Sequence, residues 1–120
     1  MFNNISIIGC GLIGSSILRA IRKKNLAKEI RIFDHSKDVI TYLKKENIDT
    51  KIFTDIRQCV TNSDLIIIAT PLSSYKEIIL SIKGNLKKNV ILTDTGSVKK
   101  EVMKIIYNIN LKDVHWIPSH

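Results

Sequence analysis

Short apolar runs alternate with longer amphipathic stretches along this chain. The runs are rich in Ile, Leu and Val and are mostly not interrupted by polar residues, as expected for parallel strands that are covered on both faces. Their alternation with helical stretches is typical of βαβ units and predicts an α/β fold on a parallel sheet. The predicted strands are Ile5–Ile8, Ile30–Phe33, Ile52–Phe53, Leu65–Ala69, Val90–Thr93 and Val114–Ile117.

The stretches between these runs repeat their apolar residues at helical spacing. The first predicted helix, Leu12–Lys24, places Leu12, Ile17, Leu18 and Ile21 on one side and basic residues on the other. Six strands with intervening helices predict a doubly wound Rossmann sheet of order 3-2-1-4-5-6, in one dinucleotide-binding domain over residues 1–120. The remaining predicted helices are Lys37–Glu46, Ile56–Val60 (a helix or a turn), Ser74–Ile82, which Gly84 and Asn85 end, and Val98–Asn108.

A glycine-rich turn joins the first strand to the first helix, with the sequence Gly-Cys-Gly-Leu-Ile-Gly over residues 9–14. In a GxGxxG turn, Gly9 permits the tight bend, Gly11 lets the backbone approach a pyrophosphate, and Gly14 lets the helix pack on the strand. The amides of the first helical turn attract phosphate, so we predict that Leu12 and Ile13 also contact the cofactor. A plain strand–helix turn is the alternative.

An acidic residue completes this pattern. Asp34 ends the second strand, 20 residues after Gly14. A carboxylate there accepts hydrogen bonds from the ribose hydroxyls and repels a 2′-phosphate, which predicts NAD rather than NADP as the cofactor. His35 and Lys37 lie close by in sequence and soften that rejection, and a turn or capping role for Asp34 is the alternative.

The composition adds little to this interpretation. The 19 Lys and Arg against 11 Asp and Glu give a net charge of +8, but the lysines are scattered in pairs without interleaved aromatic residues. This arrangement favours solvated helix faces and predicts no nucleic-acid partner. No stretch approaches the roughly 18 apolar residues of a membrane span, and the N-terminus does not resemble a secretory signal, so we expect a cytoplasmic protein. Cys10 and Cys59 have no metal-ligand or CxxC spacing, which predicts reduced, buried thiols and no metal site.

Two further segments contain the ends of predicted strands, at the edge of the sheet where ligands bind. They are Leu65–Pro71, which ends in Ala-Thr-Pro, and Thr93–Lys99, with the sequence Thr-Asp-Thr-Gly-Ser-Val-Lys. Together with Gly11–Ser16 and the Ile-Pro-Ser-His of Ile117–His120, they make the chain resemble the prephenate dehydrogenase family. That family comprises the prephenate, arogenate and cyclohexadienyl dehydrogenases of tyrosine biosynthesis, and the resemblance spans the whole chain.

The resemblance implies an NAD-dependent oxidative decarboxylation of prephenate to 4-hydroxyphenylpyruvate. His120, from the Pro-Ser-His segment, would take the proton of the substrate's 4-hydroxyl group, since a His titrates near neutrality. Ser97 would hydrogen-bond the same hydroxyl, and Thr70 and Pro71 would contact the cofactor. The alternatives are a helix N-cap for Ser97, a turn at Thr70-Pro71 and a frayed terminus at His120.

The resemblance also implies a following helical domain, which dimerises and holds the carboxylates of the substrate. We expect the 120 residues to lack that C-terminal domain, so the partner is a homo-oligomer or a separate helical part, and the substrate is prephenate or arogenate. The alternative function is a non-catalytic NAD-binding module or a truncated remnant without turnover. A dehydrogenase of the 3-hydroxyacid or imine reductase type is a third possibility, against which the Gly-Ser-Val-Lys and Pro-Ser-His segments argue.

Overall fold

A six-stranded parallel sheet forms the centre of the molecule. The computed structural model describes residues 2–46, 50–95, 103–105 and 113–117. The strands are β1 (Phe2–Ile8), β2 (Ala27–Phe33), β3 (Thr50–Phe53), β4 (Leu65–Ile68), β5 (Val90–Asp94) and β6 (Val114–Trp116). They lie in the order β3-β2-β1-β4-β5-β6, and every adjacent pair is parallel. The predicted Rossmann fold and strand order are confirmed.

Helices cover both faces of the sheet. They are α1 (Leu12–Lys24), α2 (Lys37–Glu46), α3 (Ile56–Val60) and α4 (Tyr75–Ile82). Successive strand residues point to opposite faces, so each buried strand contributes to two cores. Ile5 and Ile7 of β1 pack with α1 and α2, whereas Ile8 packs with α3 and α4. This two-sided burial explains why the strands read as apolar runs without alternation.

The first helix differs from the prediction at its start. Leu18 and Ile21 are buried and Ile17 is partly buried, but the side chain of Leu12 is 87% exposed. Placing Leu12 on the core side was wrong, because it lies nine residues before the buried Ile21, which is two and a half helical turns and puts it on the opposite side of α1. The neighbouring Ile13 is 56% exposed as well.

Several boundaries also move. β1 and β2 each begin three residues earlier than predicted, because Phe2 pairs with Ala27 and Asn4 with Glu29 through the backbone. Helix α4 is preceded by one 3-10 turn and followed by another, Lys83–Asn85. Gly84 therefore lies inside a 3-10 turn and is not a left-handed C-cap, since Gly9 is the glycine with positive φ in the described part of the chain.

The predicted helix Val98–Asn108 lies mostly outside the described residues, although residues 103–105 are helical. Across the four described ranges, no helix combines the length and the apolar character needed to cross a membrane.

Polar contacts close the edge of the sheet where β1 begins. The carboxylate of Asp64, which precedes β4, accepts hydrogen bonds from the amides of Asn3 and Asn4 at 2.9 and 3.1 Å. Lys87, in the loop before β5, binds the other oxygen of the same carboxylate. Asp64 thereby joins three separate segments of the chain at the edge opposite to the loops described next.

Candidate dinucleotide site

The carboxyl ends of four strands meet at one edge of the sheet. In the strand register, Ile8 of β1 lies beside Phe33 of β2 and Ile68 of β4, and Ile68 lies beside Asp94 of β5. The loops after these strands therefore start side by side. This is the edge at which open parallel sheets bind their ligands, where the strand order reverses between β1 and β4.

The glycine turn after β1 is sterically determined. Gly9 has φ +90°, a conformation that L side chains rarely adopt, and a Cβ there would lie 2.6 Å from Cγ2 of Thr70. A Cβ on Gly14 would overlap the carbonyl oxygen of Gly9. The two glycines thus allow α1 to start directly against the end of β1, as the GxGxxG spacing predicts.

Gly11 has a different environment. It is exposed, and no described atom lies within 4 Å of the position that its Cβ would occupy. As the N-cap of α1 it provides no side-chain hydrogen bond, and the first helical turn contains no acidic residue. The first-turn amides of an α-helix have no intrahelical acceptor and carry the positive end of the helix dipole. The open side of this turn can therefore accommodate an anionic group such as a pyrophosphate.

The carboxylate of Asp34 lies directly beside the glycine turn. Its Oδ2 accepts a hydrogen bond from the amide of Cys10 at 2.7 Å, and its Oδ1 accepts one from the amide of Ser36 at 2.9 Å. The residue is only 7% exposed, and Nδ1 of His35 lies 3.8 Å from Oδ1. A carboxylate has about four acceptor positions, so Asp34 can accept further hydrogen bonds from a ligand.

Thr70 and Pro71 follow β4 on the other side of the same turn. The methyl group of Thr70 faces Gly9, and Pro71 is exposed. The hydroxyl of Thr70 is buried and has no hydrogen-bond partner within the described ranges. Because most buried hydroxyls in proteins are paired, this orphaned atom beside the glycine turn is consistent with a position that a ligand completes.

A cavity of about 460 Å³ extends from the glycine turn toward α4. Its walls combine aliphatic and aromatic side chains from β1, β2, α3 and α4 with a few polar groups. The lining residues are Ile8, Gly9, Phe33, Asp34, His35, Ile56, Thr70, Ser74, Glu77, Ile78 and Ser81. The volume and the mostly apolar lining fit the adenosine half of a dinucleotide, and Asp34, the residue predicted to contact the ribose, lines this cavity.

A larger groove of about 830 Å³ lies elsewhere, between the end of α1 and the start of β2. Arg19, Arg22, Lys23 and Lys28 contribute to its lining. This groove is at the amino-terminal edge of β2, remote from the loops after β1 and β4. Basic residues at that end of α1 complement the negative end of the helix dipole, which accounts for their position without a ligand.

Tyr75, the first residue of α4, contacts the end of β5. The hydroxyl of the fully buried Tyr75 lies 3.4 Å from both the carbonyl oxygen of Ile68 and Oδ2 of Asp94. Asp94 is 3% exposed, and the amide of Thr95 donates to Ile68 at 3.1 Å. These contacts fix the point from which the Thr-Gly-Ser-Val-Lys segment leaves the sheet. Ser97 and His120, the predicted catalytic residues, both lie outside the described residues.

Both cysteines are buried, as predicted. Burial raises the pKa of the Cys10 thiol above its usual range, although a hydrogen bond from Ser15 partly opposes this effect. Burial raises the pKa of Cys59 to about 12. The backbone carbonyl of Cys59 accepts a hydrogen bond from the hydroxyl of Ser6 at 2.6 Å, and that hydroxyl also contacts Ser63. Neither thiol is therefore ionised near neutral pH.

The structure thus brings the predicted glycines, Asp34 and Thr70 together around one turn. It also adds a set of residues that the sequence analysis did not single out: Ile8, Phe33, Ile56, Ser74, Glu77, Ile78 and Ser81. Ser74, Glu77 and Ser81 recur at helical spacing after β4, and this pattern could have indicated a polar helix face. The sequence does not show that this face lines the cavity.

Comparison with known proteins agrees with this fold. Residues 17–120 match the family model described as the prephenate dehydrogenase, nucleotide-binding domain. The whole chain is 34% identical over 120 residues to a cyclohexadienyl dehydrogenase of Zymomonas mobilis subsp. mobilis. The chain spans only 41% of the length of that curated relative.

Solved structures show the same fold at lower identity. A prephenate dehydrogenase from A. aeolicus, in complex with hydroxyphenyl propionate and NAD+, matches 95% of this chain with TM-score 0.83 and 23% identity. The match covers 40% of that protein. A 3-hydroxyisobutyrate dehydrogenase of Mycobacterium tuberculosis matches 98% of this chain and 40% of its own, with TM-score 0.85 but 12% identity.

The structural neighbours therefore include dehydrogenases of different substrates and establish the fold alone. The family match is more specific, because it covers most of the chain, including the segments after β4 and β5. Its description as a nucleotide-binding domain also agrees with the glycine turn and cavity at the edge of the sheet. The resemblance inferred from the sequence is confirmed: this chain belongs to the family of prephenate dehydrogenase nucleotide-binding domains.

Proposed function

We propose that this chain is the NAD-binding part of a prephenate dehydrogenase. The observation that carries the proposal is the position of the Asp34 carboxylate, which the Cys10 amide holds against the glycine turn at 2.7 Å. The NAD+ complex of the A. aeolicus enzyme and the description of the matching family model as a nucleotide-binding domain support NAD as the ligand.

Different residues of the chain bind different parts of the cofactor. The amides that follow Gly11 bind the pyrophosphate, with Leu12 and Ile13 flanking it. Asp34 accepts hydrogen bonds from the adenosine ribose hydroxyls, and its charge opposes a 2′-phosphate. Thr70 and Pro71 contact the cofactor from the loop after β4. Gly9 and Gly14 act indirectly, by permitting the turn that presents these groups.

In the proposed reaction, bound NAD supplies the acceptor for the hydride that leaves the ring carbon of prephenate or arogenate. His120 accepts the proton of the hydroxyl on that carbon. Ser97 hydrogen-bonds the same hydroxyl and orients it toward His120. Tyr75 and Asp94 support this arrangement by anchoring the end of β5, three residues before Ser97. Loss of carbon dioxide makes the ring aromatic.

A non-catalytic NAD-binding module is the second candidate function. It is favoured by the description of the matching family model, which names nucleotide binding. Groups that bind the carboxylates of the substrate are not assigned among the residues of this chain. In that case the chain binds NAD but does not turn over substrate in any assembly.

Calorimetric titration of the purified chain with NAD and with NADP tests the binding function. We expect NAD to bind and NADP to bind more weakly. Absence of NAD binding at millimolar concentration would contradict the proposal.

Absorbance of NADH, followed with prephenate and separately with arogenate, tests the reaction. We expect negligible turnover by the 120-residue chain alone. Fusing it to the portion of the Zymomonas relative that lies beyond the match should restore turnover, provided that circular dichroism shows a folded fusion protein. A folded fusion that binds NAD without any turnover would favour the non-catalytic module.

A further inference from the structure

One face of α4 contributes polar groups to the cavity that also contains Asp34. Ser74, Glu77 and Ser81 all line it, together with Ile78. Glu77 and Ser81 are four residues apart and lie on the same side of α4, and Ser74 is the N-cap residue just before the helix. The carboxylates that line the cavity, among the described residues, are those of Asp34 and Glu77. They come from two separate walls of the cavity, one after β2 and the other on α4.

The two walls differ in what they can bind. Asp34 already accepts two backbone hydrogen bonds and lies beside the glycine turn, at the position of the ribose. Beyond it, the side chains of Phe33, Ile56 and Ile78 offer apolar surface for a planar base. A base attached to a ribose at Asp34 would extend across this surface toward the residues of α4 that line the cavity.

The α4 side of the cavity presents hydrogen-bond acceptors. The oxygens of the Glu77 carboxylate accept hydrogen bonds. No ion pair or hydrogen bond of the Glu77 side chain is formed with another described residue. The hydroxyl of Ser81 donates to the backbone carbonyl of Glu77 at 2.8 Å, so toward the cavity it too presents lone pairs. A base that carries hydrogen-bond donors on its outer edge is complementary to this wall.

We propose that Glu77 is a specificity-determining residue, whose carboxylate accepts a hydrogen bond from the exocyclic amino group of the adenine of the dinucleotide. This inference rests on the proposed function, because it assumes that the dinucleotide occupies the cavity with its ribose at Asp34. Glu77 would thus recognise the base of the dinucleotide, whereas Asp34 recognises its ribose. A purine without an amino group at that position leaves the carboxylate without its donor.

The test compares NAD with nicotinamide purine dinucleotide, in which hydrogen replaces the amino group of adenine. Calorimetry measures the dissociation constants of both for the wild-type chain, Glu77→Gln and Glu77→Ala. The wild type should bind NAD about three- to tenfold more tightly than the purine analogue, as expected for one partly exposed hydrogen bond to a charged group. Glu77→Ala should reduce this ratio to near one, and Glu77→Gln should give an intermediate ratio because its amide oxygen still accepts.

Glu46→Ala is the matched control, since Glu46 is an exposed acid at the end of α2 that does not line the cavity. Its ratio should equal that of the wild type. A ratio that is the same in the wild type and in Glu77→Ala would overturn the role of Glu77 while leaving NAD binding intact. A wild-type chain that binds neither nucleotide would overturn both this inference and the proposed function.

Discussion

The amide of Cys10 and the carboxylate of Asp34 form a 2.7 Å hydrogen bond that connects the glycine turn after β1 to the end of β2. The two residues are 24 positions apart in sequence. The bond orients the carboxylate and simultaneously satisfies a backbone amide of the turn. Asp34 is therefore a structural part of the turn as well as the group predicted to bind the ribose.

Replacing Asp34 should affect both affinity and stability. Asp34→Ala removes the ribose acceptor and also leaves the amides of Cys10 and Ser36 without their partner. We expect NAD to bind at least about tenfold more weakly, which corresponds to about 1.4 kcal/mol, because a hydrogen bond to a charged group is lost. The unfolding free energy should fall by about 1–3 kcal/mol, since a buried donor remains unpaired.

Calorimetry measures the affinity of Asp34→Ala, and urea denaturation measures its stability. Asp38→Ala, at an exposed acid in the first turn of α2, is the control and should change affinity little. Unchanged NAD affinity in Asp34→Ala would show that the ribose assignment is wrong.

The glycines of the turn should separate into two classes. Gly14→Ala places a methyl group against the carbonyl oxygen of Gly9, so we expect a loss of about 1–3 kcal/mol from overpacking. Gly11→Ala meets no described atom within 4 Å, so the fold should tolerate it. The new methyl group would nevertheless lie where the phosphates approach, and NAD affinity should decrease.

Urea denaturation and calorimetric titration distinguish these outcomes. Gly84→Ala, in the 3-10 turn after α4, also meets nothing within 4 Å and should change neither property. A stable Gly14→Ala variant with normal NAD affinity would contradict the steric role assigned to Gly14.

The two thiols should be unreactive in the folded protein. Burial raises the pKa of both Cys10 and Cys59, the latter to about 12, so little thiolate exists at pH 8. The thiolate is the nucleophile in these reactions. We expect a chromogenic disulfide reagent to modify both cysteines rapidly when the chain is unfolded in roughly 8 M urea. It should modify neither cysteine in the native chain. Rapid modification of a thiol in the native chain would show that the packing around it opens.

The Asp64 contacts should make stability depend on pH. The hydrogen bond from Lys87, followed by those from the amides of Asn4 and Asn3, holds the pKa of Asp64 below its usual value of 3.8. A lowered pKa in the folded state contributes stability that is complete above about pH 4 and is lost as the pH falls through the folded value.

Asp64→Asn should therefore reduce the unfolding free energy by about 1 kcal/mol at pH 7, in line with partly exposed charged hydrogen bonds. The difference from the wild type should shrink as the pH falls below about 4, because the unfolded chain then binds a proton more readily than the folded chain does. Urea denaturation between pH 3 and 7 measures it, with Asp38→Asn as the control. A difference that stays constant over this range would show that folding does not lower the pKa of Asp64.

Much of the fold follows from local patterns. The apolar runs predicted all six strands, because strands covered on both faces need apolar side chains throughout. The order of the strands was predicted from the two mononucleotide-binding halves that six strands with intervening helices make up. The interpretation of the first helix failed at Leu12, which is apolar but does not share the helical spacing of the buried residues. It lies two and a half turns before Ile21, on the opposite side of α1, and is 87% exposed.

The sequence by itself determined the glycine turn and its acidic partner. Only glycine fits at positions 9 and 14, because any Cβ there would clash with neighbouring atoms. The number of residues between Gly14 and Asp34 follows from the length of one βαβ unit. Only the tertiary structure decided that Asp34 binds the amide of Cys10 and that Glu77 and Asp34 line one cavity. Both relationships depend on the register of neighbouring strands and the rotation of α4. The strand register and the rotation of α4 are determined by packing across the whole sheet, so they cannot be inferred from a short stretch of sequence.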